Sequence, residues 1–256
     1  MKVAYPDQFV EAMDLGEYVG ETSLKYLIAS TPRCGSHMLG HALYEAGGFG
    51  VPLEYFNGSN LKEWKKRFSG QDLQSIYKSI VRLRSTEKGV FGVKAHWDQY
   101  NNNVLKKQLQ DDFHFAKVIF LYRADLLSQS ISLVMAKQTG AWISSAKKQK
   151  VAEFEYDSIV EAAVRINKLN YGWWCHLSRY YSADQLMVLK YEDLIRAGDD
   201  VFDSVGNFIS PNSRKVASPL KVKKQSSSLN PEWRQLFLSS LKPEHGWIIE
   251  PKSWEL

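Results

Sequence analysis

The sequence predicts an α/β fold with a central parallel sheet covered by helices on both faces. Two observations carry the prediction. Short apolar runs at residues 24–30, 90–95, 116–122 and 185–189 alternate with segments whose apolar residues recur at helical spacing. Strands joined through helices run parallel and are buried on both sides. The second observation is Leu27-Ile28-Ala29-Ser30-Thr31-Pro32-Arg33-Cys34-Gly35-Ser36-His37-Met38-Leu39, an apolar run that ends in a small polar turn and reopens with helical periodicity. Strand, phosphate loop and helix follow one another in this way at nucleotide sites. The 256 residues, 44% of them hydrophobic, suffice for one sizeable core. With no internal repeat or linker in view, residues 1–256 read as one domain.

Taken in order, residues 1–22 are mixed and partly acidic, an irregular lead-in or a short helix. Residues 24–30 form a buried first strand. Met38, Leu39, Ala42, Leu43 and Ala46 then share a helical face, and Gly47-Gly48 ends that helix. Residues 52–59 are loop-like and aromatic. Residues 61–83 are basic and helical, with a break near Ser69-Gly70. A second strand over 90–95 leads to a polar loop around Asn101-Asn102-Asn103. A third, over 116–122, leads to a helix over 125–136. Residues 138–151 are polar and basic, and Lys147-Lys148-Gln149-Lys150 reads as a solvated face or part of a mobile loop over a site. A long helix over 156–181 places Ile159, Ala162, Ala163, Ile166, Leu169 and Trp173 on one face. Trp173-Trp174 reads as core or a self-association surface. The fourth strand, 185–189, precedes helices over 193–209 and 231–241, with a Ser-rich loop between them.

Net charge is +5, which suits an anionic small molecule, an acidic acceptor, nucleic acid or an anionic membrane surface, and does not choose among them. Two cysteines, Cys34 and Cys175, make no disulfide framework. With no signal peptide and no apolar run of membrane-spanning length in view, the expected compartment is reducing and cytoplasmic.

The chemistry concentrates in the loop after the first strand. A triphosphate loop ends Gly-Lys-Ser/Thr, where the Lys reaches the terminal phosphates and the hydroxyl holds Mg²⁺. Here Ser36 and His37 follow Gly35, and Arg33 lies inside the loop. Such a loop suits a 5′-phosphate-type group without a metal-bound γ-phosphate. Backbone N–H groups of Cys34, Gly35, Ser36 and His37 at a helix start, with Arg33, would hold it. A second anion position is marked by the third strand, which ends in Arg123 and is followed by the hydroxyls of Ser128 and Ser132. An Arg at a strand end with hydroxyls on the next helix suits a phosphate monoester.

These segments resemble the sulfotransferases, whose donor 3′-phosphoadenosine 5′-phosphosulfate (PAPS) is bound by a loop of the form Thr-x-Pro-Lys/Arg-x-Gly-Ser/Thr. Val188-Leu189-Lys190-Tyr191-Glu192-Asp193-Leu194 is similar to the late strand and helix start of that family. Lys223-Lys224-Gln225, followed by Asn230-Pro231-Glu232-Trp233, resembles its basic C-terminal loop and final helix. Within the family, Pro52-Leu53-Glu54-Tyr55-Phe56 and Gly89-Val90-Phe91-Gly92-Val93-Lys94-Ala95-His96-Trp97 are closest to the bacterial trehalose 2-sulfotransferase-like group. The resemblance runs in order over roughly residues 24–237.

The resemblance implies a P-loop-NTPase-like sulfotransferase fold, PAPS as donor without a metal, and transfer to a hydroxyl of a carbohydrate or glycolipid. Arg33, Cys34, Gly35, Ser36, His37, Arg123, Ser128, Ser132, Lys223 and Lys224 would bind the donor, with His37 standing where the family usually has Thr. Glu54 would be the general base. The Lys-x-His of classical cytosolic sulfotransferases is matched by Lys94-Ala95-His96, so His96 is the alternative base or an acceptor contact. Arg33 would also act in catalysis. Tyr55, Phe56, Lys94 and Trp97 would bind acceptor, with Trp142 as a further aromatic. The resemblance also implies a homodimer, and a glycolipid acceptor would bring contact with a membrane surface. Plainer readings stand beside these: a lone loop Glu is usually solvated, and Cys34, although next to Arg33 at a helix start, is the more simply structural.

Two other functions compete. One is a P-loop-like small-molecule kinase, disfavoured by the missing Gly-Lys-Ser/Thr. The other is a non-catalytic adenine-nucleotide or nucleic-acid binding protein, motivated by the basic charge. The sequence carries no base-reading motif, so no nucleic-acid partner is expected.

Overall fold

The computed structural model describes residues 9–142, 151–196, 198–211, 215–217 and 229–254. Its centre is a sheet of four strands: β1 (Leu24–Ser30), β2 (Val90–His96), β3 (Lys117–Tyr122) and β4 (Leu186–Lys190). All pairings are parallel and the order is β2-β1-β3-β4. The observed strands lie within a residue of the apolar runs that predicted them.

Both faces of β1 are covered, as the run of apolar side chains requires. Leu27 and Ala29 face one way, with Phe91, Val93, Ala95, Val118 and Phe120, into an aromatic-rich cluster. Helices α2 (Gly58–Arg67), α3 (Leu73–Arg84) and the C-terminal half of α6 (Tyr156–Tyr180) complete it with Trp64, Ile76 and Trp173. Tyr26 and Ile28 face the other way, against α1 (Ser36–Ala46) and α8 (Asp199–Ile209) through Leu39, Leu43, Phe202 and Val205. A third cluster joins α5 (Leu126–Thr139), α6 and α9 (Leu229–Ser239) through Ile131, Ile159, Ile166, Trp233 and Phe237. Trp173 is core; its neighbour Trp174 is only partly buried.

The chain leaves β1 for β2 on one side, then crosses to β3 on the other. The strand order therefore reverses between β1 and β3. In open parallel sheets, ligands bind outside the carboxyl ends of the strands at such a switch point. The loop after β1 and the turn after β3 flank it.

Three local expectations are corrected. The polar stretch at Asn101–Asn103 is helical: α4 (Trp97–Tyr100) runs on through a π-helical turn, Asn101–Leu105. Val104 is buried there, and the Asn103 side chain donates to Phe56 O at 2.8 Å. The helix expected over 193–209 is two, α7 (Tyr191–Arg196) and α8, with Gly198 between them at φ 59°. Within the lead-in, Met13 is buried, and Asp14 pairs with the fully buried Arg84 at 3.0 Å and with Arg67. Burial of an arginine beneath the lead-in has no local sequence signal.

The packing between β1 and β2 gives a test. A methyl at Gly92 would land on the Tyr26 ring, which is fully buried and donates its hydroxyl to Phe49 O at 2.9 Å. Gly92→Ala should destabilise the fold by about 1–3 kcal/mol. The check is a lowered urea midpoint with an unchanged m value.

Candidate active site

The loop after β1 is held in shape from three sides. Trp173 Nε1 on α6 donates to Ser30 O at 2.8 Å. Gln129 Nε2 on α5 donates to Thr31 Oγ1 at 3.0 Å and to Pro32 O at 2.7 Å. Inside the loop, Cys34 N–H bonds back to Thr31 O at 3.4 Å. Arg33 (φ 66°) and Gly35 (φ 91°) both lie in the left-handed region. For an arginine this conformation is unusual, and such residues cluster at ligand sites. Gly35 ends the loop as the N-cap of α1, with no side chain to satisfy the helix's first N–H groups. Such donors and the helix dipole suit an anion.

Gly35 has a second reason to lack a side chain. A Cβ there would lie 2.5 Å from Tyr191 Cδ2. The Tyr191 ring in turn lies under the Arg123 guanidinium, 4.9 Å from Cζ to ring centroid. One tyrosine on α7 thus wedges the β1 loop and the β3 end together. Glu192 completes the joint: its carboxylate accepts the N–H groups of Ala124 at 3.0 Å and Asp125 at 3.1 Å, and its Oε1 lies 4.0 Å from Arg123 Nε. Buried Arg123 Nε has no hydrogen-bond partner among the described residues. The sequence marked the Tyr191-Glu192-Asp193 segment but assigned it no role.

The two α5 hydroxyls expected at the site, Ser128 and Ser132, are both engaged. Ser132 Oγ accepts from Arg33 Nε at 3.0 Å, and Arg33 Nη1 also donates to Trp142 O at 2.5 Å. Ser128 Oγ donates to Asp125 at 2.7 Å and accepts from Arg234 of α9 at 3.1 Å. The His37 ring packs on that of His41, one helical turn later, with centroids 4.2 Å apart. Cys34 is fully buried; burial pushes its thiol up, only partly offset by hydrogen bonds from Thr31 and Ser36. That is the reverse of an activated thiolate. Lys223 and Lys224 lie outside the described residues.

On the other side of β1, the chain at Leu53 pairs beside β2 at Val93, and Lys94 N–H donates to Leu53 O at 3.0 Å. This addition to the sheet edge carries Glu54 inward rather than into solvent. Glu54 Oε1 meets Lys94 Nζ at 2.9 Å and His96 Nε2 at 3.7 Å. Its Oε2 accepts from Gln99 Nε2 at 2.9 Å and Asn57 Nδ2 at 3.1 Å. Both partners of the ion pair are buried, Glu54 at 2% and Lys94 at 1% relative exposure. His96 ends β2 in register with Ser30, whose hydroxyl lies 3.2 Å from Nδ1.

Burial alone would raise the Glu54 pKa. The charges of Lys94 and His96 and the bonds from Lys94 and Gln99 outweigh it and hold the carboxyl well below the usual carboxylate range. Burial lowers His96 from 6.5, partly opposed by the Glu54 charge, so the imidazole is neutral at pH 7.

The expected acceptor contacts need correction. Tyr55 and Phe56 are core residues. Tyr55 donates its hydroxyl to Val51 O and stacks on Phe91, centroids 5.7 Å apart; Phe56 packs edge-on against Phe113 at 4.8 Å. Neither ring is available to a sugar, because the apolar interior takes both. Trp97 is half-buried against Trp173, centroids 5.2 Å apart. Lys94 is committed to Glu54 rather than presented to a ligand.

A family model described as Stf0 sulphotransferase matches residues 25–239. No curated protein matches the chain. Among solved structures, the chain is similar to the sulfotransferase domain of an olefin synthase from Synechococcus PCC 7002, with 18% identity over 85% of this chain and 90% of that one, and a TM-score of 0.42. It is also similar to a sulfotransferase from Alicyclobacillus acidocaldarius, with 13% identity, 91% and 98% coverage, and a TM-score of 0.49. A third is mouse sulfotransferase SULT7A1 complexed with PAP, with 10% identity, 96% and 76% coverage, and a TM-score of 0.44.

The buried pair is open to a stability test. Lys94→Met leaves the Glu54 charge uncompensated and should cost about 3–5 kcal/mol. Adding Glu54→Gln removes that charge and should recover part of the loss, as read from denaturant midpoints of the single and double variants.

Proposed function

The chain belongs to the Stf0 sulphotransferase family, and we propose that it moves the sulfuryl group of PAPS to a hydroxyl of a carbohydrate or glycolipid. The observation that carries the donor assignment is the pairing of two basic strand ends across the switch point. Arg33 in the positive-φ loop and Arg123 at the end of β3 are joined through Gly35 and Tyr191. Two cationic positions fixed to one frame suit a nucleotide with phosphates at both its 5′ and 3′ positions. Ser36 and His37, in place of Lys and Ser/Thr, favour this donor over ATP–Mg²⁺. A glycolipid acceptor would bring the protein to a membrane surface, and the net charge of +5 fits an anionic one.

The reaction exchanges one S–O bond for another. The acceptor oxygen bonds to sulfur as the bond from sulfur to the bridging phosphate oxygen breaks. The electron pair of that bond leaves with the phosphate, and the hydroxyl proton passes to a base. Arg33 and the first N–H groups of α1 would take up charge on the leaving phosphate. Alignment of the two substrates supplies much of the remaining rate.

His96 is the better matched base. It is neutral at pH 7, whereas the Glu54 carboxylate is held too far down to attract a proton strongly. Glu54 would orient the imidazole and stabilise the imidazolium that forms. Glu54 itself is the second reading, favoured by its place in the Pro52–Phe56 segment. It would require Lys94 to release the carboxylate.

Calorimetry with adenosine 3′,5′-bisphosphate (PAP), AMP and ATP–Mg²⁺ tests the donor. Micromolar PAP binding with much weaker AMP binding is expected; equal affinities would exclude the assignment. For the base, the rate should fall with acid as His96 is protonated, through a pKa below 6.5, and be flat above pH 7. His96→Asn should lower kcat by roughly 10²–10⁴-fold and leave PAP affinity nearly unchanged. A rate unaffected by His96→Asn and abolished by Glu54→Gln would transfer the role to Glu54.

A further inference from the structure

Among the described residues, one arginine near the site had no role assigned from sequence. Arg234, on α9, reaches across to the start of α5, where its Nη1 lies 3.0 Å from Asp125 Oδ1, 3.1 Å from Oδ2 and 3.1 Å from Ser128 Oγ. Asp125 is the N-cap of α5, accepting Ser128 N–H at 3.0 Å. It lies two residues beyond Arg123, in the turn that Glu192 holds by the Ala124 and Asp125 N–H groups. The backbone there is clamped further by Lys252 N–H donating to Ala124 O at 3.0 Å.

Two guanidiniums therefore grip α5 one turn apart: Arg33 at Ser132 and Arg234 at Ser128. Residues four apart lie on one face of a helix. Arg33 belongs to the 5′-phosphate loop. Arg234 belongs to the other end of the same face, beside the Arg123 turn. Only Nη1 of Arg234 is engaged among the described residues, and its side chain is 37% exposed. An arginine carries five N–H donors in a planar fork, and the bonds at Nη1 leave the Nε and Nη2 donors of Arg234 for a ligand. Asp125 and Ser128 set the direction of the fork without consuming it.

Resting on the donor reading above, we propose that Arg234 is a specificity residue for the 3′-phosphate of the donor. Its Nη1 stays on Asp125 and Ser128 while its remaining N–H groups meet the phosphate monoester that Arg123 meets from β3. A carboxylate already in contact with Arg234 neutralises part of its charge. Discrimination would then come from directed hydrogen bonds more than from net charge.

The experiment is calorimetric titration of the full chain and its Arg234→Ala and Arg234→Lys variants with PAP and with AMP, with melting temperatures recorded alongside. Arg234→Ala should weaken PAP binding by roughly 10- to 100-fold and change AMP binding less than about 2-fold. Arg234→Lys keeps the ion pair with Asp125 but lacks the fork, so it should restore stability and only part of the PAP preference. Should the Ala variant fail to fold, the Lys variant decides alone. An unchanged PAP-to-AMP ratio in the foldable variants, or equal weakening of both ligands, would overturn the assignment while leaving the donor reading intact. Wild-type protein with no preference for PAP would overturn both.

Discussion

The structure depends on the fixed position of the carboxyl end of β1. A loop with two left-handed residues is not stable by itself, since Arg33 at φ 66° has no intrinsic preference for that conformation. Its shape is imposed by bonds from outside: Trp173 on Ser30, and Gln129 on Thr31 and Pro32. The anchored residues are the last of β1, Ser30, and the two that follow it, Thr31 and Pro32, and both anchors come from helices. Burial on α6 and α5 is thereby converted into loop geometry. The same strand end also faces His96 through the Ser30 hydroxyl. The β1 loop and His96 share one reference point.

Electrostatics divides the site into two unlike halves. Around α5, the guanidiniums of Arg33 and Arg234 are partly exposed and rest on the hydroxyls of Ser132 and Ser128. Around β2, the charges are buried and compensate one another. Glu54 meets two cationic or imidazole groups and two amide donors, so its cluster needs no ligand for neutrality. Buried pairs of this kind add little net stability, because desolvation offsets their attraction. Their value is geometric: they set the height of His96 over the strand end.

Much of the fold was legible because buried parallel strands write themselves as apolar runs, and β1 is read to the residue. The left-handed loop after β1 and Arg123 at the end of β3 were also visible, as residue types at fixed positions after strands. Less visible was whatever depends on tertiary contact. Glu54 was marked as a base by resemblance alone, its plainer reading being a solvated loop carboxylate, and the pairing of Leu53 with Val93 that carries it inside has no local signal. Tyr55 and Phe56 have the composition of a sugar platform, yet the hydrophobic interior is the stronger claimant for both rings. Tyr191 and Glu192 sat in a marked segment without a role, since a wedge between two distant loops has no periodicity to betray it. Arg234 on the last helix is distant in sequence from both serines and had no local signal.

The wedge made by Tyr191 has a consequence for modularity. The β1 loop and α7 are not separable parts. The space that a side chain at position 35 would need is filled by the Tyr191 ring, distant in sequence. A corresponding loop transplanted from a different protein would arrive shaped for another neighbour. It would misplace Arg123 even if every transplanted residue adopted its native backbone. The unit that can be exchanged intact is the loop together with positions 191 and 192, an assembly discontinuous in sequence and contiguous in space.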